Sequence, residues 1–204
     1  MEWRSQHGED KYIAALLGPD SARYIVDVGA NDGYSWSNSY AFVQQGFGAL
    51  LIEPMPRYAG FCRKYHRGNS KVVVEEVAIL DYEGRTKFFI SDDPSSDLLA
   101  MRSSVVREFV MNDEMKSYEV EVPCAPLSTL LRRHNVPKNY AMLSVDAEGM
   151  DLKVLETAEL STWRPAVICV EFGFDEGPIH SFLEAQGYVK HAHLEANGIY
   201  VKGA

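Results

Sequence analysis

Acidic side chains and glycines follow several apolar runs of this sequence, at the points where the runs end. The run YIVDVGA (24–30) carries Asp27 and Gly29, and GALLIEP (48–54) carries Glu53. YAMLSVDAEG (140–149) ends with Asp146 and Glu148, and PAVICVEFG (165–173) contains Glu171. Because the carboxyl ends of parallel strands meet at one edge of a sheet, we expect these groups to line a common ligand site.

The stretch DVGANDG (27–33) combines two glycines, two carboxylates and an amide within seven residues. Glycine allows a sharp turn and a close approach between the backbone and a ligand. The N–H groups of a helix that follows such a turn can bind an anionic group such as a carboxylate. An ordinary strand–helix turn capped by Asp32 is the alternative. The spacing is not G-x-G-x-x-G, so the dinucleotide fingerprint is absent.

Glu53 follows the glycine turn at a distance of about twenty residues, which is typical of an acidic residue that accepts hydrogen bonds from ribose hydroxyls. Alone, it could equally be a solvated glutamate at a strand end. The glycine turn and the spaced carboxylate together predict a cofactor that contains ribose.

The third motif is SVDAEGMDLKVL (144–155), where a strand passes into a helix. Gly149 permits a tight exit, and Asp151 is placed to cap the helix. Asp146 or Glu148 would face the substrate, as a base or a metal ligand, and would suit a positively charged reactive group. The alternative is that all three acidic residues only cap the helix.

Alternation of apolar runs with amphipathic segments predicts the elements that position these residues. Strands are expected at 24–30, 48–54, 71–79, 87–91, 118–127, 140–149 and 165–173, and helices at 34–46, 56–66, 127–134, 151–158 and 177–187. The end of the chain reads as a hairpin that turns at Asn197-Gly198. The pattern predicts an α/β fold with a mainly parallel sheet, helices on both faces and an antiparallel C-terminal edge strand.

Residues 92–116 are polar and irregular, which is typical of a functional or mobile loop. Within them, 101–109 could be a helix whose Arg102 and Arg107 meet an anionic substrate. A lid fragment with solvated arginines is favoured.

Length and composition limit the function classes. The 204 residues suit one domain, and a net charge of −9 disfavours a nucleic-acid partner. No apolar run reaches the roughly 18 residues that span a bilayer, and we expect no membrane partner. With no signal-peptide pattern and three widely spaced cysteines, a cytoplasmic location is expected.

The segments DVGANDGYS, LIEP and SVDAEGMDLKVLE, preceded by SQHGEDKYI, resemble the FkbM family of S-adenosylmethionine-dependent methyltransferases. The resemblance runs from Ser5 to Val201. It implies a Rossmann-like, seven-stranded methyltransferase fold over residues 1–204 and methyl transfer, usually to an oxygen of a sugar, glycolipid or polyketide-type product.

The resemblance also implies roles for single residues. The methionine end of the cofactor would lie against Asp27, Gly29, Ala30, Asn31, Asp32 and Gly33. Glu53, followed by Pro54, would hold the ribose, and Glu76, Val77 and Ala78 would lie along the adenine. Asp146 and Glu148 would lie near the sulfonium and the acceptor. Ser5, Gln6, Glu9 and Asp10 match an N-terminal motif whose helical segment, 1–20, would cover the cofactor, while 92–116 would be a substrate-side insertion or lid.

We therefore expect an O-methyltransferase that acts on a hydroxyl of a small molecule, sugar or glycan, with S-adenosyl-L-methionine as cofactor. Asp146 is the first candidate base, ahead of His180, His191 and His193. A divalent metal is compatible with carboxylates at strand ends but is not expected. A nicotinamide-dependent oxidoreductase and a nucleoside-binding protein without turnover are the alternatives. The sequence identifies neither the acceptor nor the oligomeric state.

Overall fold

The computed structural model describes residues 2–92, 103–107, 116–172 and 175–203, with the backbone alone at 91–92 and 116–117. In chain order, the helices and strands of the described residues are α1 (Glu9–Leu16), β1 (Ala22–Val28), α2 (Tyr40–Gln44), β2 (Gly48–Ile52), α3 (Pro56–Tyr65), β3 (Val72–Glu75), β4 (Ala78–Ile79), β5 (Gly84–Asp92), β6 (Lys116–Ala125), α4 (Leu127–Arg133), β7 (Tyr140–Val145), α5 (Asp151–Glu156), β8 (Val167–Glu171), α6 (Glu176–Ala185), β9 (Tyr188–Leu194) and β10 (Asn197–Lys202).

Seven strands form the main sheet, in the order β3-β2-β1-β7-β8-β10-β9. Neighbours from β3 to β8 pair in parallel, whereas β10 is antiparallel to both β8 and β9. The predicted Rossmann-like fold with an antiparallel C-terminal edge is confirmed, and that edge consists of the whole β9–β10 hairpin. The strand order reverses between β1 and β7, and in open α/β sheets ligands bind at such a switch point.

Apolar layers cover both faces of the main sheet, because β2 and β7 are buried at every position. On one face, Leu50 and Leu143 pack with residues of α4, α5 and α6. On the other, Leu51 and Met142 pack with Ile13 of α1 and residues of α2 and α3. Full burial of a Leu or Ile side chain contributes about 2 kcal/mol, so these layers account for most of the sheet's stability.

A second sheet of three strands, in the order β4-β6-β5, packs beside the carboxyl edge of the main sheet. The predicted strand 71–79 is in fact two strands. β3 belongs to the main sheet, and β4 leaves it to pair with β6. Ser104 extends this second sheet, because its N–H and C=O both bond to Phe89 of β5.

The predicted helix 34–46 is wrong in its first half, because α2 begins only at Tyr40. Asp32 Oδ1 accepts the N–H groups of Tyr34 and Ser35, and Ser37 Oγ accepts that of Tyr40. Short polar side chains that bond the nearby backbone in this way compete with helix formation. Trp36, which the helical spacing placed on the buried face, is 43% exposed.

The predicted hairpin turn at Asn197-Gly198 is also wrong. Leu194 pairs with Asn197, so the turn residues are Glu195 and Ala196. Gly198 lies within β10, where an added Cβ would be 1.9 Å from Cζ of Phe172. The glycine is thus required for packing against an aromatic ring and not for the turn.

Candidate active site

A cleft of about 760 Å³, including the open space at its mouth, lies at the carboxyl ends of β1, β2 and β7. The ends of the parallel strands form its floor, and Phe88 of β5 with Ser103 and Val105 forms the opposite wall. The switch point of the sheet is therefore an open, partly apolar pocket.

The structure brings eight of the residues with predicted roles to the lining of the cleft: Gly29, Asn31, Glu53, Pro54, Val77, Ala78, Asp146 and Glu148. Six others lie outside the lining: Gln6, Asp27, Ala30, Asp32, Gly33 and Glu76. The binding and catalytic roles of both groups stay predictions.

Gly29 is required by the approach of two strands. Its φ is +80°, and an added Cβ would lie 1.8 Å from the backbone oxygen of Asp146. The N–H groups of Gly29 and Ala30 both donate to the C=O of Ile52. The N–H of Asp146 donates to the C=O of Val28. The turn thus connects the ends of β1, β2 and β7, which form the floor of the cleft.

Residues of α3 hold the other side of the turn. Cys62 Sγ donates to the C=O of Asn31 at 2.9 Å, and His66 Nε2 donates to the C=O of Gly33 at 3.0 Å. Burial lowers the pKa of His66, so the ring is neutral with its proton on Nε2. Asp32 caps the turn itself. The expected helix N-terminus for an anion is absent here, because α2 begins at Tyr40.

Asp27 is buried on the side of the sheet away from the cleft lining. Its carboxyl accepts a hydrogen bond from Ser39 Oγ at 2.5 Å and is bonded to Ser144. Burial raises its pKa to about 6, and the two serine hydrogen bonds partly oppose that rise. Asp27 therefore fastens the loop before α2 to β7.

Glu53 follows β2 and lies on the cleft wall with only 6% of its surface exposed. One carboxylate oxygen accepts the N–H of Asn31 and the other that of Met55, both at 2.9 Å. Burial raises its pKa to about 7 against the effect of these two hydrogen bonds. A carboxylate has about four acceptor positions, so two remain for hydroxyl donors in the cleft.

Asp146 follows β7, exposed toward the cleft but enclosed by protein on its other sides. Its carboxyl is hydrogen-bonded to that of Glu171 at the end of the adjacent strand β8. Burial, followed by the negative charges of Glu171, Glu148 and Asp151, holds the pKa of Asp146 well above its ordinary value. A raised pKa makes the carboxylate a stronger base than an ordinary aspartate, which suits a proton acceptor.

Asp151 is the first residue of α5, and its carboxylate accepts the N–H groups of Ala147 and Gly149. Its predicted role as a helix cap is wrong, because the N-cap is Met150 and the carboxylate of Asp151 bonds the loop before the helix. Burial raises the pKa of Asp151 to about 6. Glu148 has a φ of +47°, and its C=O accepts a hydrogen bond from Ser104 Oγ at 2.8 Å. The second sheet is thereby tied to the loop that carries the candidate base.

The N-terminal segment lies against the loop before α2 and against the terminal hairpin. Ser5 pairs with Trp36, and Ser5 Oγ donates to the buried carboxylate of Asp10. The buried carboxylate of Glu9 accepts a hydrogen bond from Asn197 Nδ2. These residues of the SQHGED motif hold elements together, while Gln6 is exposed.

None of the three candidate histidines is in the cleft lining formed by the residues that the structure describes. His191 Nδ1 contacts the hydroxyl of Tyr12, His193 Nε2 bonds to the C=O of Glu195, and His180 Nδ1 contacts the hydroxyl of Tyr200. Asp146 therefore stays the leading candidate base.

Sequence reasoning missed several apolar residues of the cleft lining: Met55, Tyr58, Phe88, Val105 and Met150. Met55 and Tyr58 lie within five residues after Glu53, a position that could have suggested them. Of the predicted lid 92–116, residues 103–107 are described, and two of them line the cleft. Arg107 lies over the ring of Phe89 at 6.0 Å, and Arg102 lies outside the described residues.

The lining matches the chemistry of an adenosyl cofactor with a sulfonium charge. Glu53 offers acceptor positions for ribose hydroxyls beside the apolar Val77 and Ala78, and Asp146 supplies negative charge. Within the described parts of the chain, no three or more His, Cys, Asp or Glu side chains are grouped to hold a metal ion. No helix there is long and apolar enough to cross a membrane.

Solved structures with the same fold include three with TM-scores of at least 0.5. The first, a methyltransferase FkbM from Methylobacillus flagellatus KT, is 15% identical, with a TM-score of 0.53 over 94% of this chain and 50% of that chain. The second belongs to the NADB-Rossmann superfamily and comes from Streptococcus agalactiae; it is 10% identical, with a TM-score of 0.55 over 99% of this chain and 70% of that one. The third, a precorrin-6y C5,15-methyltransferase from Geobacter metallireducens GS-15, is 12% identical, with a TM-score of 0.50 over 96% of this chain and 87% of that chain.

These identities are low enough that the likeness shows the fold alone. This chain spans half of the Methylobacillus protein. No curated protein matches the sequence. The profile of the methyltransferase FkbM domain, however, matches residues 27–190, which include the end of β1, the glycine turn, Glu53 and the Asp146 loop. The chain therefore belongs to the FkbM family of S-adenosylmethionine-dependent methyltransferases.

Proposed function

We propose that this protein methylates a hydroxyl oxygen of a small molecule or glycan, with Asp146 as the proton acceptor. The observation that carries the proposal is the carboxyl of Asp146, which lines the cleft and has a raised pKa. An alcohol must lose its proton as it is methylated, and a carboxylate whose pKa is raised by burial is a stronger base for that proton than an ordinary aspartate.

The bound cofactor supplies a methyl group that is already activated by the positive charge of its sulfonium. The protein must then hold the cofactor, align the acceptor and remove one proton. Glu53 would accept hydrogen bonds from the ribose hydroxyls, and Val77 and Ala78 would lie along the adenine. Asp146 would orient the acceptor hydroxyl, with Glu148 beside it at the mouth of the cleft.

The negative charge of the protein around the cleft favours an acceptor that is neutral or positive. The chain carries a net charge of −9, and four carboxyl groups lie at or beside the end of β7 and β8: Asp146, Glu148, Asp151 and Glu171. A phosphorylated acceptor or a nucleic acid would be repelled from this edge. Hydroxylated metabolites and neutral sugars fit it better.

A transfer assay with cofactor labelled in the methyl group tests this function. The purified protein is incubated with panels of hydroxyl and amine compounds, and Asp146→Asn is compared with the wild type. We expect label in hydroxyl compounds, a turnover reduced about 100-fold or more in the variant, and a cofactor affinity within a few-fold. The exposed variant Glu121→Gln is the matched control, since it also removes one carboxylate. Label in amines alone, or equal losses of turnover and affinity in Asp146→Asn, would contradict the proposal.

A further inference from the structure

The carboxyl groups of Asp146 and Glu171 form a pair across adjacent strands. β7 and β8 are parallel neighbours in which Val145 pairs with Val170, so the next residue of each strand lies at the same edge of the sheet. The two side chains are hydrogen-bonded to each other. Two carboxylates cannot make that bond, because both are acceptors, so one of the two carries a proton. The pair therefore holds a single negative charge.

The groups around the pair are also acidic. Glu148 and Asp151 follow on the loop and helix after β7, and Asp27 lies at the end of β1 on the far side. From α1, Glu9 bonds to Asn197, the residue of β10 that pairs with Glu171. Lys190 of the hairpin is bonded to Glu176. The surroundings thus favour retention of the shared proton until a cation enters the cleft.

We infer that Asp146 and Glu171 act as one proton-sharing pair, which loses its proton when the cationic cofactor binds and regains one when the cofactor becomes neutral. Asp146 is the member that lines the cleft, and Glu171 is a positioning residue that acts through it. This inference rests on the proposed function, since the second half of the cycle requires an acceptor that gives up a proton.

The charges balance over one turnover. The acceptor oxygen bonds to the methyl carbon while the carbon–sulfur bond breaks and leaves its electron pair on sulfur. The O–H bond of the acceptor also breaks, and its proton passes to the carboxyl pair. The pair begins the step with two negative charges beside a cation and ends it with one beside a neutral product. No other co-reactant is needed, and the proton released on cofactor binding equals the proton taken from the acceptor.

Calorimetry in buffers of different ionisation enthalpy measures this proton directly, without an acceptor. S-adenosylmethionine and S-adenosylhomocysteine are titrated separately into the protein at pH 7. We expect the cationic ligand to release roughly half a proton or more in excess of the neutral one. In Glu171→Gln that excess should fall, because an amide cannot share the proton and no longer adds a negative charge beside Asp146.

Two further variants separate this role from a structural one. Glu171→Asp keeps a carboxyl and should retain part of the excess, and the exposed Glu121→Gln should retain all of it. Any proton exchange by the amine of the ligand is common to all the proteins and cancels in the comparison between them. Thermal melts followed by circular dichroism check that each variant is folded. If Glu171→Gln is unfolded, the wild type and Asp146→Asn decide the question.

Equal proton release for both ligands in the wild type would overturn the inference, as would an excess in Glu171→Gln or Asp146→Asn that is as large as in the wild type. Failure of both ligands to bind would overturn the inference together with the proposed function. Methylation of hydroxyls without the proton excess would refute the pair and leave the function standing. A proton excess with methylation of amines alone would support the carboxyl pair and refute the methylation of hydroxyls.

Discussion

Replacement of Glu53 by Gln should remove a large part of the pH dependence of stability. Glu53 is buried, and its pKa in the folded protein is about 7 against an ordinary 4.5. Between these two values the folded chain binds a proton that the unfolded chain has lost. Stability from this group is therefore fully present below pH 4.5 and is lost as the pH rises toward 7.

The magnitude follows from the change in pKa. Each pKa unit corresponds to about 1.4 kcal/mol, so a rise from 4.5 to about 7 corresponds to about 3 kcal/mol in full. Most of that, about 2.5 kcal/mol, falls between pH 5 and pH 8. Glu53→Gln also weakens one hydrogen bond, since the amide has one oxygen for the N–H groups of Asn31 and Met55. That loss does not depend on pH.

Urea denaturation at pH 5, 6, 7 and 8 gives the free energy of unfolding of both proteins. We expect the wild type to lose about 2.5 kcal/mol relative to Glu53→Gln across this range. Asp27 and Asp151, whose pKa values are also raised, contribute a similar slope to both proteins and cancel in the difference. The control Glu121→Gln, at an exposed position, should show the same change of unfolding free energy with pH as the wild type. A constant difference between the wild type and Glu53→Gln would show that Glu53 titrates normally, and the burial argument would fail.

Three further substitutions test the contacts that shape the cleft. Gly29→Ala places a Cβ 1.8 Å from the Asp146 oxygen at a φ of +80°, and it should cost about 3 kcal/mol or more in urea denaturation or prevent folding. Ser39→Ala removes a hydrogen bond to Asp27 and should cost about 1–3 kcal/mol at pH 8, with a smaller loss at pH 5, where Asp27 is protonated. Ser104→Ala removes the bond to the Glu148 C=O and should cost about 1 kcal/mol, with weaker cofactor binding in calorimetry, because the wall formed by Ser103 and Val105 loses its attachment.

The main sheet could be predicted from the sequence because its strands are short apolar runs. β1, β2, β7 and β8 fall within the runs expected at 24–30, 48–54, 140–149 and 165–173, apart from the first two residues of β1. Strands that are buried on both faces leave this signal whatever their neighbours are. The helices α3, α4, α5 and α6 could be predicted for a related reason, since each presents one apolar stripe to the sheet.

Other features depend on contacts distant in sequence. Nothing in the run 71–79 marks the point where the chain leaves the main sheet, which is decided by pairing of β4 with β6 about 45 residues later. Gly198 resembles a turn residue, but the ring of Phe172 requires it. In the stretch 34–39, the side chains of Asp32 and Ser37 accept hydrogen bonds from nearby backbone N–H groups. These bonds replace those of a helix, although the apolar residues have helical spacing.

The site could be predicted where an acidic residue follows an apolar run that forms a strand, as at Glu53 and Asp146. The apolar wall was not, because Phe88 and Val105 reach the cleft through a second sheet with no sequence motif of its own. Glu171 was predicted only as one of several acidic groups that follow the apolar runs. Its hydrogen bond to Asp146 depends on the register of β7 and β8, which spacing does not reveal.

The glycine turn explains why the two halves of the site are coupled. Ile52, which precedes Glu53, accepts the N–H groups of Gly29 and Ala30, and Asp146 donates its own N–H to Val28. Glu53, the proposed ribose ligand, and Asp146, the proposed base, are thus both tied to the end of β1. Because Gly29 lies against the backbone of Asp146, any side chain at position 29 must displace β7 from β1. Under the proposed function, such a displacement would alter cofactor affinity and proton transfer together, because both depend on the spacing of β1 and β7 that Gly29 allows.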